Sequence, residues 1–233
     1  MSAPWYVEFF QSGDYARLYS FEQERSAREA RFVAQALELS KGSRVLDLCC
    51  GTGRHLRELR CIGVDLNRAG LRGLPAACAD MRALPLRTGS LDAVISLFSS
   101  FGYLESDDED LRVLREVARV LRPGGKLLLD LLNREHALAG FVESVQEPRD
   151  DGSLVVEQRS FDLSKGRLTT SFVMVGADGS RTDSIGHSLR LYTLTELRKM
   201  LDAVGLALQR VYGGVAGAAY ALDSVRMMAV ISR

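Results

Sequence analysis

The chain has 233 residues, 46% of them hydrophobic, and its 30 basic residues are balanced by 30 acidic ones. This length and hydrophobic content suit one large domain or one domain with an insertion. Proteins that bind DNA or RNA normally carry a basic excess, so the neutral balance argues against a nucleic acid substrate.

No stretch of the sequence predicts membrane insertion or export. Apolar runs are shorter than a membrane-spanning helix requires, and the N-terminus MSAPWYVEFF lacks the basic flank and apolar core of a signal peptide. We therefore expect a cytoplasmic protein without a membrane partner. The four cysteines form no CxxC pair and no histidine stands at ligand spacing from them, so no metal site is expected.

The first 133 residues alternate between strand-like and helix-like patterns. Residues 5–20 mix aromatic and acidic residues without clear periodicity, whereas residues 21–39 have the spacing of an amphipathic helix. Continuous apolar strands between amphipathic helices predict a parallel sheet covered on both faces. The predicted strands are 44–48, 61–65, a short one ending at Asp80, 92–98 and 126–132, and the predicted helices between them are 53–60 and 107–121.

The pattern changes at about residue 150. Residues 154–162, 167–176 and 181–192 alternate in the manner of strands and are separated by turn sequences, which predicts a small antiparallel sheet. The remaining predicted elements are a helix at 194–204 and strands at 206–212 and 226–232.

The most informative stretch is VLDLCCGTGR, residues 45–54, in which an apolar strand enters a glycine-rich turn. A glycine turn lets a ligand approach the backbone, and the following helix offers unpaired N–H groups. Asp65 ends the next strand, eighteen residues after Asp47, where a carboxylate can accept hydrogen bonds from both hydroxyls of a ribose. Together these features predict a nucleoside-binding site at the carboxyl edge of a parallel sheet.

Four stretches in this order resemble the class I S-adenosylmethionine-dependent methyltransferases. They are VLDLCCGTGR (45–54), GVDLN (63–67), ADMRALPL (79–86) and LREVARVLRPGGKLLLDLLN (114–133). The glycine turn by itself is shared with dinucleotide-binding proteins, although GTGRHL lacks the third glycine of their GxGxxG pattern.

The resemblance implies an α/β, Rossmann-like fold: a mostly parallel seven-stranded sheet with helices on both faces, and a small antiparallel sheet inserted after the fifth strand. In the small-molecule branch of the family, such an insertion helps to cover the active site. The implied divisions are an N-terminal lid or helix (1–40), an S-adenosylmethionine-binding core (41–149), the inserted sheet (150–193) and the C-terminal completion of the core (194–233).

The resemblance also assigns residues to the methionine end of S-adenosylmethionine. Gly51 and Gly53, with Thr52 between them, would let the backbone pack against the amino acid part of the cofactor. Asp47 resembles the acidic residue that orients this turn or contacts the cofactor's ammonium group. The segment 96–99 at the end of strand four, which begins with Ser96, would border the methyl-donor sulfur.

At the nucleoside end, Asp65 would hold the ribose hydroxyls and Leu66 would pack on the adenine. Asp80 resembles the residue that accepts a hydrogen bond from the adenine amino group, and the backbone N–H of Met81 would meet a ring nitrogen. A simple turn-capping role for Asp80 stays open. Tyr15 belongs to an aromatic segment that either closes over the cofactor as a lid or packs on the sheet as a strap.

The acceptor is harder to place. Asn133 and Arg134 follow strand five at the edge where open parallel sheets bind ligands, and an arginine there suits a carboxylate or phosphate or simply caps the strand. His187, Tyr192 and Arg134 are candidate catalytic groups, although His187 is also compatible with an ordinary strand histidine. The residues expected to line the acceptor pocket are Phe101, Tyr103, Asn133, Arg134, Arg190 and Tyr220.

The sequence thus predicts a methyltransferase for an unidentified small molecule, acting as a monomer or homodimer. The stretch LFSSFGYL after strand four lacks the Asn/Asp-Pro-Pro-aromatic signature of enzymes that methylate nucleic acid bases or glutamine. One alternative is an NAD(P)-dependent oxidoreductase, which Gly51, Gly53 and Asp65 would also suit, although the ADM and LRPGG segments disfavour it. The other is a non-catalytic S-adenosylmethionine-binding protein.

Overall fold

The computed structural model describes residues 5–11, 18 and 23–233, and these residues form two β-sheets with flanking helices. The strands are β1 (Val45–Leu48), β2 (Ile62–Asp65), β3 (Ala76–Cys78), β4 (Leu91–Ser96), β5 (Leu121–Leu132), β6 (Ser144–Pro148), β7 (Leu154–Asp162), β8 (Arg167–Val175), β9 (Arg181–Arg190), β10 (Ala207–Tyr212) and β11 (Arg226–Ser232). The helices are α1 (Trp5–Gln11), α2 (Gln23–Ala36), α3 (Leu56–Leu59), α4 (Asp107–Val120), α5 (Arg134–Ala139) and α6 (Leu194–Asp202).

The larger sheet has seven strands in the order β10-β11-β5-β4-β1-β2-β3. The pairs among β1 to β5 are parallel, whereas β11 is antiparallel to both of its neighbours, β5 and β10. Because the chain order reverses between β1 and β4, the carboxyl ends of these strands border the crevice where such sheets bind ligands. The predicted mostly parallel seven-stranded sheet is confirmed.

Burial on both faces explains why the central strands are apolar without alternation. In β5, the neighbouring residues Leu127 and Leu128 are both fully buried, but they pack into separate hydrophobic clusters on opposite faces of the sheet. α4 covers one face with Leu114 and Val117, and Ser106 caps its N-terminus. The sheet is therefore a rigid base for residues at its carboxyl edge.

The smaller sheet is antiparallel, in the order β6-β7-β8-β9, and follows β5 along the chain. This confirms the predicted inserted sheet. Its first strand, Ser144–Pro148, lies within the range 41–149 that the sequence assigns to the core, and the division into domains stays a prediction.

Four elements differ from the pattern predictions, the first being β6, which precedes the three strands predicted for the insertion. The aromatic segment Trp5–Gln11 is a helix although it shows no single apolar face, α3 has one turn instead of spanning 53–60, and α5 has no counterpart in the sequence pattern. Within the described ranges, no helix is long and apolar enough to cross a membrane.

Candidate active site

Three residues in the turn after β1 have left-handed backbone: Cys49 (φ 63°), Gly51 (φ 55°) and Gly53 (φ 75°). A β-carbon on Gly53 would lie 2.6 Å from Cδ1 of Leu74, so any larger residue there would have to displace that side chain. A β-carbon on Gly51 would meet no atom within 4 Å, because Gly51 borders an open cavity. The turn therefore combines one packed glycine with one whose backbone a ligand can approach.

Asp65, at the end of β2, braces this turn. Its Oδ2 accepts a hydrogen bond from the amide nitrogen of Gly51 at 2.8 Å, and its Oδ1 accepts one from the amide nitrogen of Asn67 at 2.8 Å. A carboxylate has about four lone-pair positions, so each oxygen keeps one acceptor position once the contacts of the described residues are counted. Two acceptor positions on one carboxylate fit the two neighbouring hydroxyls of a ribose.

A cavity of about 810 Å³, its open mouth included, lies at the carboxyl ends of β1 and β2. Asp65, Leu66, Asp80 and Met81, the predicted nucleoside contacts, all line it together with Gly51. One wall comes from α1, through Tyr6, Val7 and Phe10. The carboxylate beside an apolar wall fits the ribose and adenine of S-adenosylmethionine.

The carboxylate of Asp80 is engaged by Arg82. Oδ1 accepts hydrogen bonds from the backbone nitrogen and Nε of Arg82 at 2.8 and 3.0 Å, and Oδ2 accepts one from Nη2 at 2.6 Å. Burial raises the pKa of Asp80, but these contacts outweigh burial and lower it overall. Asp80 thus makes the turn-capping contacts that the sequence left open, and an adenine amino group would compete with Arg82 for the same oxygens.

The other predicted cofactor residues do not line the described part of this cavity. Thr52 is exposed, Gly53 is buried within the turn, and Ser96 is buried at the end of β4. Tyr15 lies outside the described residues. Asp47 is buried, and burial raises its pKa; its Oδ2 accepts no hydrogen bond from the described residues. The cofactor roles of these five residues stay predictions.

Sequence patterns do not predict the buried cluster of ionisable groups that lies beneath the glycine turn. Nε2 of His55 lies 2.9 Å from Oε2 of Glu29, and Nδ1 of His55 lies 3.7 Å from Oδ2 of Asp47. Burial alone would lower the pKa of His55, but the two carboxylates outweigh it and raise that pKa. These groups connect α2 to β1. Glu29 precedes the turn by more than twenty residues in a helix, so no local pattern could have paired it with His55.

A second cavity, about 1250 Å³ with its mouth included, lies between the larger sheet and the inserted sheet. Tyr103 lines both cavities, so ligands bound in the two would meet beside its ring. Its lining includes Phe98, Ser99 and Arg226 on the side of the larger sheet and Glu157, Thr170 and His187 on the side of the inserted sheet.

Asp130 fixes the core side of the second cavity. Its Oδ1 accepts a hydrogen bond from Nε of Arg226 at 2.7 Å, and its Oδ2 accepts one from the amide nitrogen of Phe98 at 2.8 Å. Phe98 and Ser99 both have a φ of 58°, a conformation that costs non-glycine residues about 1–3 kcal/mol each. This strained segment lies where the sequence predicts the border of the methyl-donor sulfur.

Tyr192 and Arg190 lie in a buried network outside both cavities. The Tyr192 hydroxyl donates a hydrogen bond to Oδ2 of Asp110 at 2.7 Å, and the Arg190 guanidinium stacks over the Tyr192 ring at 4.5 Å. Arg190 also pairs with Asp107 and Glu196, at 3.1 and 2.7 Å. This placement differs from the predicted catalytic and acceptor roles, because these contacts tie the end of β9 and the residues after it to α4 and α6.

Asn133 and Tyr220 hold the chain around α5. Oδ1 of Asn133 caps the helix by accepting a hydrogen bond from the amide nitrogen of Glu135 at 3.1 Å, and its Nδ2 donates to the carbonyl of Ser224 at 2.8 Å. The Tyr220 hydroxyl donates to Oδ1 of Asn133 at 2.8 Å. Neither residue lines the second cavity, so these contacts favour a structural role over the predicted acceptor contact.

Arg134 and Phe101 also lie beside the second cavity without lining it. The Arg134 guanidinium lies 5.6 Å from the ring of Phe161 and 3.4 Å from Glu196. Phe101 is buried and packs against Tyr192, with ring centroids 5.6 Å apart. Of the predicted acceptor and catalytic residues, the structure brings Tyr103 and His187 to the cavity surface.

Comparisons with known proteins agree with this geometry. Residues 46–129 match a family model described as a methyltransferase domain. The chain is 30% identical over 209 residues to a dTDP-3-amino-3,4,6-trideoxy-α-D-glucopyranose N,N-dimethyltransferase of Streptomyces venezuelae, covering 82% of this chain and 87% of that one. It is 28% identical over 208 residues to a cypemycin N-terminal methyltransferase of a Streptomyces species, covering 82% and 84%.

Solved structures bear out the fold. The CcbJ methyltransferase of Streptomyces caelestis superposes with a TM-score of 0.83 over 99% of both chains, at 19% sequence identity. The oxidoreductase and non-catalytic alternatives are set aside, because the relatives that span most of the chain are methyltransferases. The chain belongs to the class I S-adenosylmethionine-dependent methyltransferases that act on small molecules, and S-adenosylmethionine is its cofactor.

Proposed function

We propose that the chain methylates an amine nitrogen of a small polar molecule. The observation that carries the proposal is the second cavity, which meets the cofactor cavity at Tyr103 and has polar as well as apolar walls. Two of the relatives that span most of the chain are, by name, an N-terminal methyltransferase and an N,N-dimethyltransferase.

An amine suits this cavity because it needs no strong base. Bound S-adenosylmethionine supplies a methyl group on a sulfonium: transfer to a neutral amine forms an N–C bond as the C–S bond breaks, the electron pair stays on sulfur, and the product ammonium releases a proton to water. The protein's part is then to orient the amine and to exclude water from it.

Methylation of an alcohol would require more than His187 and Glu157 offer. An alcohol oxygen has to lose its proton as it attacks, which calls for a base with a pKa near the working pH. Burial lowers the pKa of His187 to about 4, so it is a weak base. The carboxylate of Glu157 is paired with Arg159 through both oxygens, at 2.7 and 2.6 Å.

The proposal is tested by following formation of S-adenosylhomocysteine with matched acceptor pairs. We expect turnover with 3-amino-3-deoxy-D-glucose or diglycine, and none with D-glucose or N-acetyldiglycine, in which the amine is replaced or blocked. The Asp65→Ala variant serves as the cofactor-dead control. Turnover with the alcohol of a pair and not with its amine would overturn the proposal.

The assembly and location of the enzyme are proposals of the same standing. We propose a monomer or homodimer in the cytoplasm that acts without nucleic acid, supported by the equal numbers of acidic and basic residues. Light scattering after size-exclusion chromatography measures the assembly. A gel-shift titration with tRNA at low salt should show no complex, and a saturable complex would contradict the absence of a nucleic acid partner.

A further inference from the structure

His187 occupies an aromatic enclosure on the wall of the second cavity. It lies in β9, opposite Thr170 of β8. Its ring centroid lies 5.4 Å from that of Phe9 in α1, 5.7 Å from that of Phe172 in β8 and 6.0 Å from that of Tyr103. The residue is 9% exposed and lines the cavity, so the surrounding rings enclose it without cutting it off from the cavity.

One ring nitrogen of His187 makes no hydrogen bond to the described residues. Nδ1 of His187 is buried and has no hydrogen-bond partner among the described residues. Buried polar atoms in native proteins are nearly always paired with protein, water or ligand, because an unpaired one forfeits its hydration. The ring of His55, by contrast, is hydrogen-bonded through Nε2 to the carboxylate of Glu29. His187 lines the second cavity, so a ligand seated there against this ring can supply the partner that the described residues do not.

The charges around His187 leave the ring neutral at physiological pH. Burial lowers its pKa, and the nearby Glu157 and Arg159 of β7 act in opposite directions on it. The other elements against the ring contribute Phe9, Phe172 and Tyr103. A neutral imidazole has one N–H donor and one bare nitrogen that accepts a hydrogen bond.

We propose that His187 binds the acceptor, its bare ring nitrogen accepting a hydrogen bond from the acceptor's amine N–H while the surrounding rings contact the adjoining carbon. This inference rests on the proposed amine methylation. Holding one N–H in this way fixes the amine near Tyr103, where the two cavities meet, and leaves the nitrogen lone pair free to attack. His187 takes no proton in the step, because the proton leaves the product for water.

A purely structural role makes a different prediction. If His187 only filled the enclosure, a phenylalanine would fill it equally well without an unpaired nitrogen, and neither stability nor acceptor binding would suffer. If His187 binds the acceptor, His187→Phe should keep or raise the thermal stability and still weaken acceptor binding. We expect an unchanged Kd for S-adenosylhomocysteine and a rise of about 10-fold in the Kd of the amine.

The test uses the full chain with ¹⁵N-labelled histidine, saturated with S-adenosylhomocysteine. The ring nitrogens are observed by NMR during titration with 3-amino-3-deoxy-D-glucose, with diglycine and with D-glucose. Saturable shifts of His187 with an amine, absent with D-glucose and absent in His55, support the inference. His187→Phe and the exposed-site control Thr169→Val are then compared by calorimetry with the amine that binds.

The outcomes separate this inference from the proposed function. Saturable His187 shifts without any methyl transfer would count against amine methylation and leave the binding role of His187 standing. Methyl transfer to an amine with unmoved His187 resonances, or with an unchanged amine Kd in His187→Phe, would overturn the inference while the proposed function stands. Absence of saturable shifts with both amines would overturn it as well.

Discussion

The amide nitrogen of Gly51 donates a hydrogen bond to Oδ2 of Asp65 at 2.8 Å, which joins the glycine turn to the end of the neighbouring strand. One carboxylate therefore has two tasks, since it fixes the turn and also presents its remaining lone pairs to a ligand. Loss of this side chain should therefore both loosen the glycine turn and remove hydrogen-bond acceptors from the cofactor site.

Substitution of Asp65 should weaken cofactor binding in two steps. Asp65→Asn keeps the shape but loses the charge and one acceptor atom, and Asp65→Ala loses both oxygens. Because hydrogen bonds to charged groups contribute about 1.5–3 kcal/mol each, we expect the Kd for S-adenosylhomocysteine to rise at least about 100-fold in Asp65→Ala and less in Asp65→Asn. Calorimetry measures both, with exposed Asp202→Asn as the control. Equal affinities in all variants would remove Asp65 from the ribose site.

The two glycines of the turn should respond differently to alanine. Gly53→Ala places a methyl group against Leu74 and forces alanine into a left-handed conformation, so we expect a loss of about 2–4 kcal/mol in the free energy of unfolding. Gly51→Ala meets no protein atom, so it should cost about 1 kcal/mol of stability and chiefly reduce cofactor affinity. Gly179→Ala, in an open hairpin turn at φ 80°, measures the backbone strain alone. Similar stability and affinity for all three would contradict the distinction.

The buried carboxyl of Asp110 should make stability fall as pH rises. Burial raises its pKa to about 7, although the Tyr192 hydroxyl works in the opposite direction. The folded protein then binds a proton that the unfolded chain releases near pH 4, so the free energy of unfolding decreases between pH 4 and pH 7 by up to about 1.4 kcal/mol per pKa unit. Asp110→Asn should remove this slope and be the more stable protein at pH 8. Urea unfolding across this pH range measures the slope, with the exposed-site variant Asp108→Asn as the control. The same slope in Asp110→Asn as in the wild type would refute the prediction.

The carboxylate of Glu29 should make stability fall as the pH decreases, the opposite of the effect of Asp110. Burial raises its pKa, but His55 and Arg54 outweigh burial and lower it to about 2. Its stabilisation is therefore present above pH 4.5 and lost as the pH falls toward 2. We expect Glu29→Gln to lose about 1–3 kcal/mol at pH 7, with a smaller difference from the wild type at pH 3. Glu24→Gln, exposed on the same helix, is the matched control, and an equal loss at both pH values would contradict the role of the charge.

The parallel core follows from sequence because its signals are local. An apolar run such as 126–132, between a glycine stop and polar residues, is typical of a buried strand, and the glycine turn and Asp65 each follow or end a strand. The helix α1 escapes prediction for a physical reason: Phe9 packs against His187 of the inserted sheet, whereas its neighbour Phe10 lines the cofactor cavity. Aromatic residues that contact two different surfaces leave no single apolar face to detect.

The acceptor residues were harder to predict because their partners are distant in the chain. Arg190 ends a strand of the insertion and Tyr192 follows it. No spacing in the sequence indicates that their partners are Asp107 and Asp110, about eighty residues earlier. Polar residues that suit a ligand suit such a network equally well. His187 differs in that its neighbours are aromatic rings and Nδ1 has no hydrogen-bond partner among the described residues, which only a folded structure reveals.

The inserted sheet has a consequence for how this enzyme can change. The insertion's described wall of the second cavity comes from one continuous stretch of chain, from β7 to Leu191, whereas the described lining of the cofactor cavity ends at Leu104. If the second cavity holds the acceptor, as proposed, exchange of that stretch for the corresponding piece of a relative would change the acceptor wall without replacing Asp65 or the glycine turn. The new piece would still have to fit α1, because Phe9 packs on His187 while Phe10 lines the cofactor cavity.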